Sequence, residues 1–413
     1  MLALLPTLRL FRIDGRTVLE SVVAERSIDV DDDLVRSLRA LSAGPVASLT
    51  DLAERVRALG GSVDRAAIGQ HVALLSELDL IDRGEPGGST ARLWAALAER
   101  TPAFPIVDAI ELTNACPCTC AMCPTGTARM TRPRAFMDPA LFRQIVDELR
   151  AAGGQEKALT LHNLGESLLH QELAALVADA TRAGLRTEVA GNPGNLTLER
   201  YRDLERAGLS RLVLDVDGLD QTTLERVRGP GARGDVAFAN LEAILAHRAA
   251  QPRATPQLIL QMIRLASNAH QHAAFLDRYA RRAILGVCAY LKEVDANTVE
   301  RPANAADERG LPIVVAGRAK RPYLCRAPWR SVVVLVNGDV VPCCHDANGA
   351  LVLGNLRRQT LREIWGAEPI RGLRARLSTA TTTQDEPCFG CAHRADRSTL
   401  PALDEIPDEP LHW

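Results

Sequence analysis

The sequence has no surplus of positive charge: 49 Lys and Arg stand against 51 Asp and Glu, for a formal net charge of -2 in 413 residues. A chain so balanced offers no electrostatic footprint for a nucleic-acid backbone or an anionic membrane surface, and neither is an expected partner. It has no apolar run long enough to cross a bilayer. It also lacks a secretory start, since Met1-Leu-Ala-Leu-Leu-Pro6 has neither a basic opening nor a sustained apolar stretch. A cytoplasmic location is the expectation. No histidine lies within a short ligand spacing of Cys123, so a three-cysteine zinc site there would be short of its fourth ligand. What the sequence does have is a 46% apolar fraction, enough to fill the cores of two or three domains, and 10 cysteines. Nine of them fall into two groups, between Cys116 and Cys123 and between Cys325 and Cys391. In an intracellular type of chain, such grouping argues for metal ligation rather than disulfides.

The first group reads Asn114-Ala-Cys116-Pro-Cys118-Thr-Cys120-Ala-Met-Cys123, and Cys116, Cys120 and Cys123 have the spacing C-x3-C-x2-C. A four-iron cluster normally takes four thiolates, so three leave one iron open to another ligand. Cys118 reads as a spare thiol outside that set. The preceding run, Pro105 to Asn114, has the apolar character of a buried strand. The cysteines therefore fall on the loop after a strand, where α/β folds place their chemistry. Further strand signals follow at Ala158–Leu164, Arg186–Ala190, Arg211–Val216, Gln257–Ile263 and Gly286–Val294, with helical stretches between them. This alternation predicts a parallel βα architecture.

At these residues the chain resembles the radical SAM enzymes. Glu111-Leu-Thr-Asn-Ala-Cys116…Cys120…Cys123-Pro is similar to their cluster-binding loop. The resemblance implies a partial (β/α)6 TIM-like barrel over residues 100–310. It also implies a [4Fe-4S] cluster on the three cysteines and S-adenosyl-L-methionine on its open iron. An external one-electron reductant of flavodoxin or ferredoxin type would supply the electron that cleaves the cofactor to a 5′-deoxyadenosyl radical, which abstracts a substrate hydrogen atom. Gly165-Glu166 resembles the family's Gly-Gly-Glu-Pro stretch, with Leu164 and Ser167 as departures. Glu166 would accept from the cofactor's amino group. Asn192 stands at the family's Thr-Asn-Gly position, Asp215 would face the ribose, and Arg228 would hold the cofactor carboxylate.

Residues 1–90 read as strand, turn, strand, a possible third strand near Ile28 and Val30, and three helices, the first opened by Asp31-Asp32-Asp33. The pattern suggests a winged helix. Acidic residues outnumber basic ones in it, which opposes DNA reading. Its order resembles the peptide-recognition modules beside many peptide-modifying radical SAM enzymes, which bind a leader as an added strand. A packing or dimerisation domain is the plain alternative. A Gly/Pro/Ser linker, Glu85–Thr90, follows.

Cys325 through Gly338 to Cys343 reads C-x12-G-x4-C and resembles the opening of the SPASM extension, expected over residues 320–396 ahead of a tail at 397–413. With Cys388 and Cys391 these cysteines suit a second, auxiliary [4Fe-4S] cluster of the shortened "twitch" kind, with Cys344 and His345 as second-rank ligands. The spacings also suit zinc. Cys288 stands apart, in a predicted strand with Tyr290 and Lys292 on the barrel-interior face. It is a candidate hydrogen-atom donor for epimerisation, or a small buried hydrophobe. The function expected is radical tailoring of a natural product, a ribosomal peptide or a carbohydrate-type molecule. The alternatives are a radical dehydrogenase or cross-linking maturase and, outside enzymes, an iron- or redox-sensing winged-helix regulator.

Overall fold

The computed structural model describes residues 2–4, 8–13, 16–21, 26–78, 80–82, 94–95, 97–120, 122–126, 129–251, 255–265, 267–279, 287–292, 325–379 and 388. The linker at 85–90, Cys391 and the tail at 397–413 lie outside them. The chain forms two compact units, one of Met1–Pro102, Ala316–Trp329 and Leu373–Trp413, the other of Ala103–Val315 and Arg330–Gly372.

In the first unit, β1 (Ala3–Leu4) pairs antiparallel with β5 (Ile81–Asp82). The strands β2 (Leu8–Ile13), β3 (Arg16–Ser21) and β4 (Arg26–Val30) form a separate antiparallel sheet in that order. Helices α1 (Asp32–Ser42), α2 (Leu49–Ala58) and α3 (Arg65–Glu77) each start at a side-chain cap, from Asp31, Ser48 and Asp64 in turn. Asp32 and Asp33 add negative charge at the positive end of α1. The three helices bury Leu38, Leu52, Val56, Ile68 and Leu75 in one core with Leu19 of β3. The third strand and all three helices lie where the sequence pattern puts them.

The second unit carries the parallel sheet: β6 (Ile106–Ile110), β7 (Leu159–Thr160), β8 (Thr187–Gly191), β9 (Arg211–Asp215), β10 (Gln257–Ile263) and β11 (Val287–Lys292). Each pairs in parallel with the next, so sequence order is sheet order. Between them run α4 (Pro139–Ala151), α5 (Leu173–Arg182), α6 (Leu198–Arg206), α7 (Gln221–Arg228), α8 (Gly234–Ala250) and α9 (His272–Tyr279). Such a winding is the partial (β/α)6 barrel. Its strands read as near-continuous apolar runs because helices cover a parallel sheet. Leu212, Leu214, Leu258 and Leu260 are accordingly fully buried.

Beyond the sixth strand the structure adds a feature the sequence pattern does not show. A strand β12 (Ser331–Val334) lies parallel to β6, on the open edge of the barrel's first strand. It continues through an antiparallel turn into β13 (Asp339–Val341) and β14 (Gly354–Asn355). The hairpin expected in a separate C-terminal domain thus extends the barrel sheet itself. The edge of β6 offers unpaired backbone groups, and a strand buried at all four positions satisfies them while hiding its own valines. No helix among the described residues is long and apolar enough to cross a membrane.

Candidate active site

The cysteine loop leaves β6 at Leu112 and is held mainly by side chains that are not cysteines. Asn114 is fully buried. Its Nδ2 donates to the Pro133 carbonyl at 2.9 Å, and its Oδ1 accepts from the Ala135 N–H at 2.8 Å. Thr113 donates its hydroxyl to the Ala135 carbonyl at 2.7 Å and accepts from the Ala115 N–H at 3.0 Å. Further along, the Thr119 N–H donates to the Arg228 carbonyl at 2.9 Å. Two glycines let other segments come this close. Gly165 and Gly229 have φ of +82° and +76°, and a Cβ on either would run into the backbone at Thr113–Asn114 or the side chain of Thr119.

Within this frame the four thiols sit in an apolar cluster with Met122, Leu224, Val227, Ala232 and Ala237. Cys118 and Cys120 are buried, Cys116 and Cys123 half-buried, and none is in a disulfide. The Cys118 thiol is hydrogen-bonded to the side chains of both Cys116 and Cys120. Hydrogen bonds from these two hold its thiol far below the ordinary value, at about 3, and the Asn192 amide and the Arg228 charge pull the same way. Sharing a proton with Cys118, together with burial, pushes Cys116 and Cys120 up.

The strand ends close around the loop. Glu166, at the turn after β7, is only 3% exposed, and both of its oxygens are engaged. Oε1 accepts from the Leu168 N–H at 3.1 Å. Oε2 accepts from the Asn192 N–H at 2.8 Å and the Asn195 amide at 3.2 Å. Asn192, at the end of β8, also reaches Cys118 Sγ at 3.5 Å and the Ala232 carbonyl at 3.1 Å. Arg228, at the end of α7, is buried between two acids. Its Nε donates to Asp217 at 2.5 Å, and an Nη lies 3.0 Å from Asp215. Asp215 also accepts from the Gln261 amide.

The structure therefore brings Gly165, Glu166, Asn192, Asp215 and Arg228 together around Cys116, Cys120 and Cys123. It differs in detail: the Arg228 guanidinium and the Glu166 carboxylate, expected on the cofactor, have protein partners in this structure. Asp217 and Gln261 were not among the expected site residues. Strand alternation was the available signal for Asp217, since it shares a side with Asp215. For the second group, Cys325 and Cys388 belong to the first unit and Cys343 to the second. Cys288 pairs with Ile259 in the sheet register, and its side chain is not among those described.

Among the described residues no three His, Cys, Asp or Glu side chains are arranged to hold a metal ion outright. The donor set nevertheless fits a cluster. It offers soft thiols in apolar surroundings, on a loop fixed by backbone bonds and a glycine cradle. The acids and arginine at the strand ends are of the types a zwitterionic, ribose-bearing ligand needs.

Residues 110–269 match the family model of the Radical SAM superfamily. Residues 325–392 match the SPASM model, an iron-sulfur cluster-binding domain. The chain belongs to the radical SAM superfamily. This radical SAM enzyme therefore uses a [4Fe-4S] cluster and S-adenosyl-L-methionine, and its SPASM domain is an iron–sulfur domain, which sets the zinc reading aside. Among similar proteins, the PqqA peptide cyclase of Methylocella silvestris is 25% identical over 317 residues, covering 69% of this chain and 79% of that protein. That of Streptomyces rochei is 28% identical over 310 residues, covering 69% and 81%. The crystal structure of Streptococcus suis SuiB bound to precursor peptide SuiA is 13% identical, with a TM-score of 0.49, covering 96% of this chain and 94% of that one.

Burial pushes the Glu166 carboxyl up to about 7 from 4.5, against the bonds from Asn192, Leu168 and Asn195 that pull it down. Between those two values the folded apoprotein binds a proton that the unfolded chain has lost. Glu166 thus contributes stability that is fully present below pH 4.5 and lost as pH rises through about 7. The Glu166→Gln apoprotein should lack that fall, which is at most about 3 kcal/mol. Urea midpoints across this window, for both proteins, measure it. Equal pH slopes would show that Glu166 is already ionised in the fold.

Proposed function

We propose that this radical SAM enzyme tailors a peptide substrate by hydrogen-atom abstraction, with formation of a new bond or a dehydrogenation as the outcome. The observation that carries this is the likeness of about two thirds of the chain to peptide cyclases. Cluster and cofactor together supply the one-electron chemistry when bound. The chain's part is to hold the thiols on a fixed loop, to range Glu166, Asn192, Asp215 and Arg228 around it, and to keep water out with the apolar cluster behind it. Cys325, Cys343, Cys388 and Cys391 are the proposed ligands of the auxiliary cluster.

Residues 1–90 are proposed as a winged-helix recognition module. Its sheet has β2 and β4 at its edges among the described residues, and an extended peptide can add to such an edge. Removing residues 1–90 is expected to leave uncoupled cofactor cleavage intact and to lower turnover of the peptide at least tenfold, roughly the loss of one good anchoring contact. Full turnover by the truncated enzyme would make the module a packing domain.

Cys288 supports a second reading, epimerisation. Its register partner Ile259 belongs to the row Ile259, Gln261 and Ile263. Gln261 bonds Asp215, and Ile263 packs on the cysteine cluster. Paired residues of a parallel sheet share a face. In this reading the Cys288 S–H bond breaks and a C–H bond forms on the substrate carbon. The sulfur radical left behind takes an electron from the external reductant and a proton from solvent. The same turnover assay in deuterated buffer decides it. An epimerase places one deuterium in the product and loses inversion in Cys288→Ala, whereas an oxidised or cross-linked product removes this reading.

A further inference from the structure

Glu111 follows β6 directly and has no exposed surface. Arg132 grips it through two parallel bonds, Nη1 to Oε2 and Nη2 to Oε1, both 2.7 Å. The Val336 N–H adds a third bond, to Oε2, at 3.1 Å. The remaining guanidinium nitrogen, Nε, donates to the Ala347 carbonyl at 2.8 Å. One side chain thus joins the end of the first barrel strand, the segment leaving Cys123, and the turn after Cys343 and Cys344. Asn348 repeats the tie: its Oδ1 accepts from the Thr131 N–H at 2.8 Å and its Nδ2 donates to the Arg129 carbonyl at 2.9 Å. Asp346, 2% exposed, shapes the turn being held by accepting from the N–H groups of Ala350 and Leu351 at 2.8 and 2.7 Å.

The ladder between β12 and β6 needs none of these bonds. A buried ion pair is a poor source of stability, and its best-attested use is to specify one arrangement over others. A planar guanidinium gives two parallel bonds to one carboxylate and a third, through Nε, to a carbonyl on another side. The three donors of an ammonium radiate from a single nitrogen and cannot reproduce that fork. We propose that Arg132 is a positioning residue that fixes the second cysteine-bearing turn, residues 343–351, against the segment leaving the first cysteine loop, and so sets where Cys343 and Cys344 are presented. The proposal rests on the radical SAM reading only in taking both loops as cluster-bearing.

Arg132→Lys and Asn348→Ala are compared with wild type, first as apoprotein and then after anaerobic reconstitution. In the apoprotein, amide hydrogen exchange across 343–351 and alkylation of Cys343 and Cys344 are read by peptide mass spectrometry. Exchange, and labelling of the half-buried Cys343, should rise about tenfold in Arg132→Lys, the loss of roughly one charge-assisted bond, and by less in Asn348→Ala, with the exposed Cys344 as the reference thiol. Exchange across 211–215 should stay as in wild type. In the reconstituted protein, the paramagnetic signature of the second cluster should change, while that of the first, and its response to S-adenosylmethionine, should not. Should Arg132→Lys fail to fold, Asn348→Ala carries the test, because its two bonds lie at the surface. Wild-type exchange and labelling in the folded variants would overturn the proposal. A wild-type protein that takes up no iron would instead sink the cluster assignments and leave the apoprotein comparison decisive for the clamp.

Discussion

Replacing Cys116, Cys120 and Cys123 together by Ala is expected to abolish deoxyadenosine formation, with iron per chain falling from about eight to about four after reconstitution. The reason lies in how the loop is built. Its thiols are the soft donors of the site, but its path is held by Thr113, Asn114 and the Thr119 N–H, none of which the substitutions touch. The triple variant should therefore fold, keep its loop and lose only the ligands. The second cysteine group begins about 200 residues later and should keep its own iron. Undiminished cofactor cleavage by the triple variant would overturn the assignment of the catalytic cluster. Loss of all iron would show instead that the two groups are not independent sites.

The second large effect is on stability. Arg228→Met should destabilise the apoprotein by about 3–5 kcal/mol, because it leaves the buried Asp217 carboxylate without its partner. Burial already raises the Asp217 carboxyl above its ordinary value, with Arg228 opposing that rise. Without the guanidinium the folded form must hold Asp217 protonated. The folded state then binds a proton the unfolded chain gives up, so the variant is most stable at low pH and loses stability as pH rises through the folded value. Urea midpoints at pH 5 and pH 8 should differ more for Arg228→Met than for wild type, and Asp217→Asn added to the same chain should recover part of the loss. A change below about 1 kcal/mol at both pH values would mean that water reaches Asp217 readily in the variant.

Much of this protein is legible in its sequence because the signals are local. The short apolar runs and the helical stretches between them put the six barrel strands within a few residues of their places. Side-chain caps such as Asp31, Asp64 and Asp138 mark helix starts one position ahead, because the bond a cap makes reaches only two or three residues. The cysteine spacing is equally local, since three ligands of one cluster lie within eight residues. The family models agree with that reading over residues 110–269 and 325–392.

What only the tertiary structure decided are pairings between segments far apart in the chain. Nothing near Ser331 or Val334 says that this strand will choose the edge of β6, more than 220 residues earlier. The choice depends on which edge is left open once the barrel has wound. Nothing near Arg228 says that its guanidinium will be taken by Asp215 and Asp217, nor near Arg132 that it will bridge Glu111 and Ala347. A charged side chain read in isolation has no partner. It acquires one only when burial makes an unpaired charge untenable, and burial is a property of the folded chain.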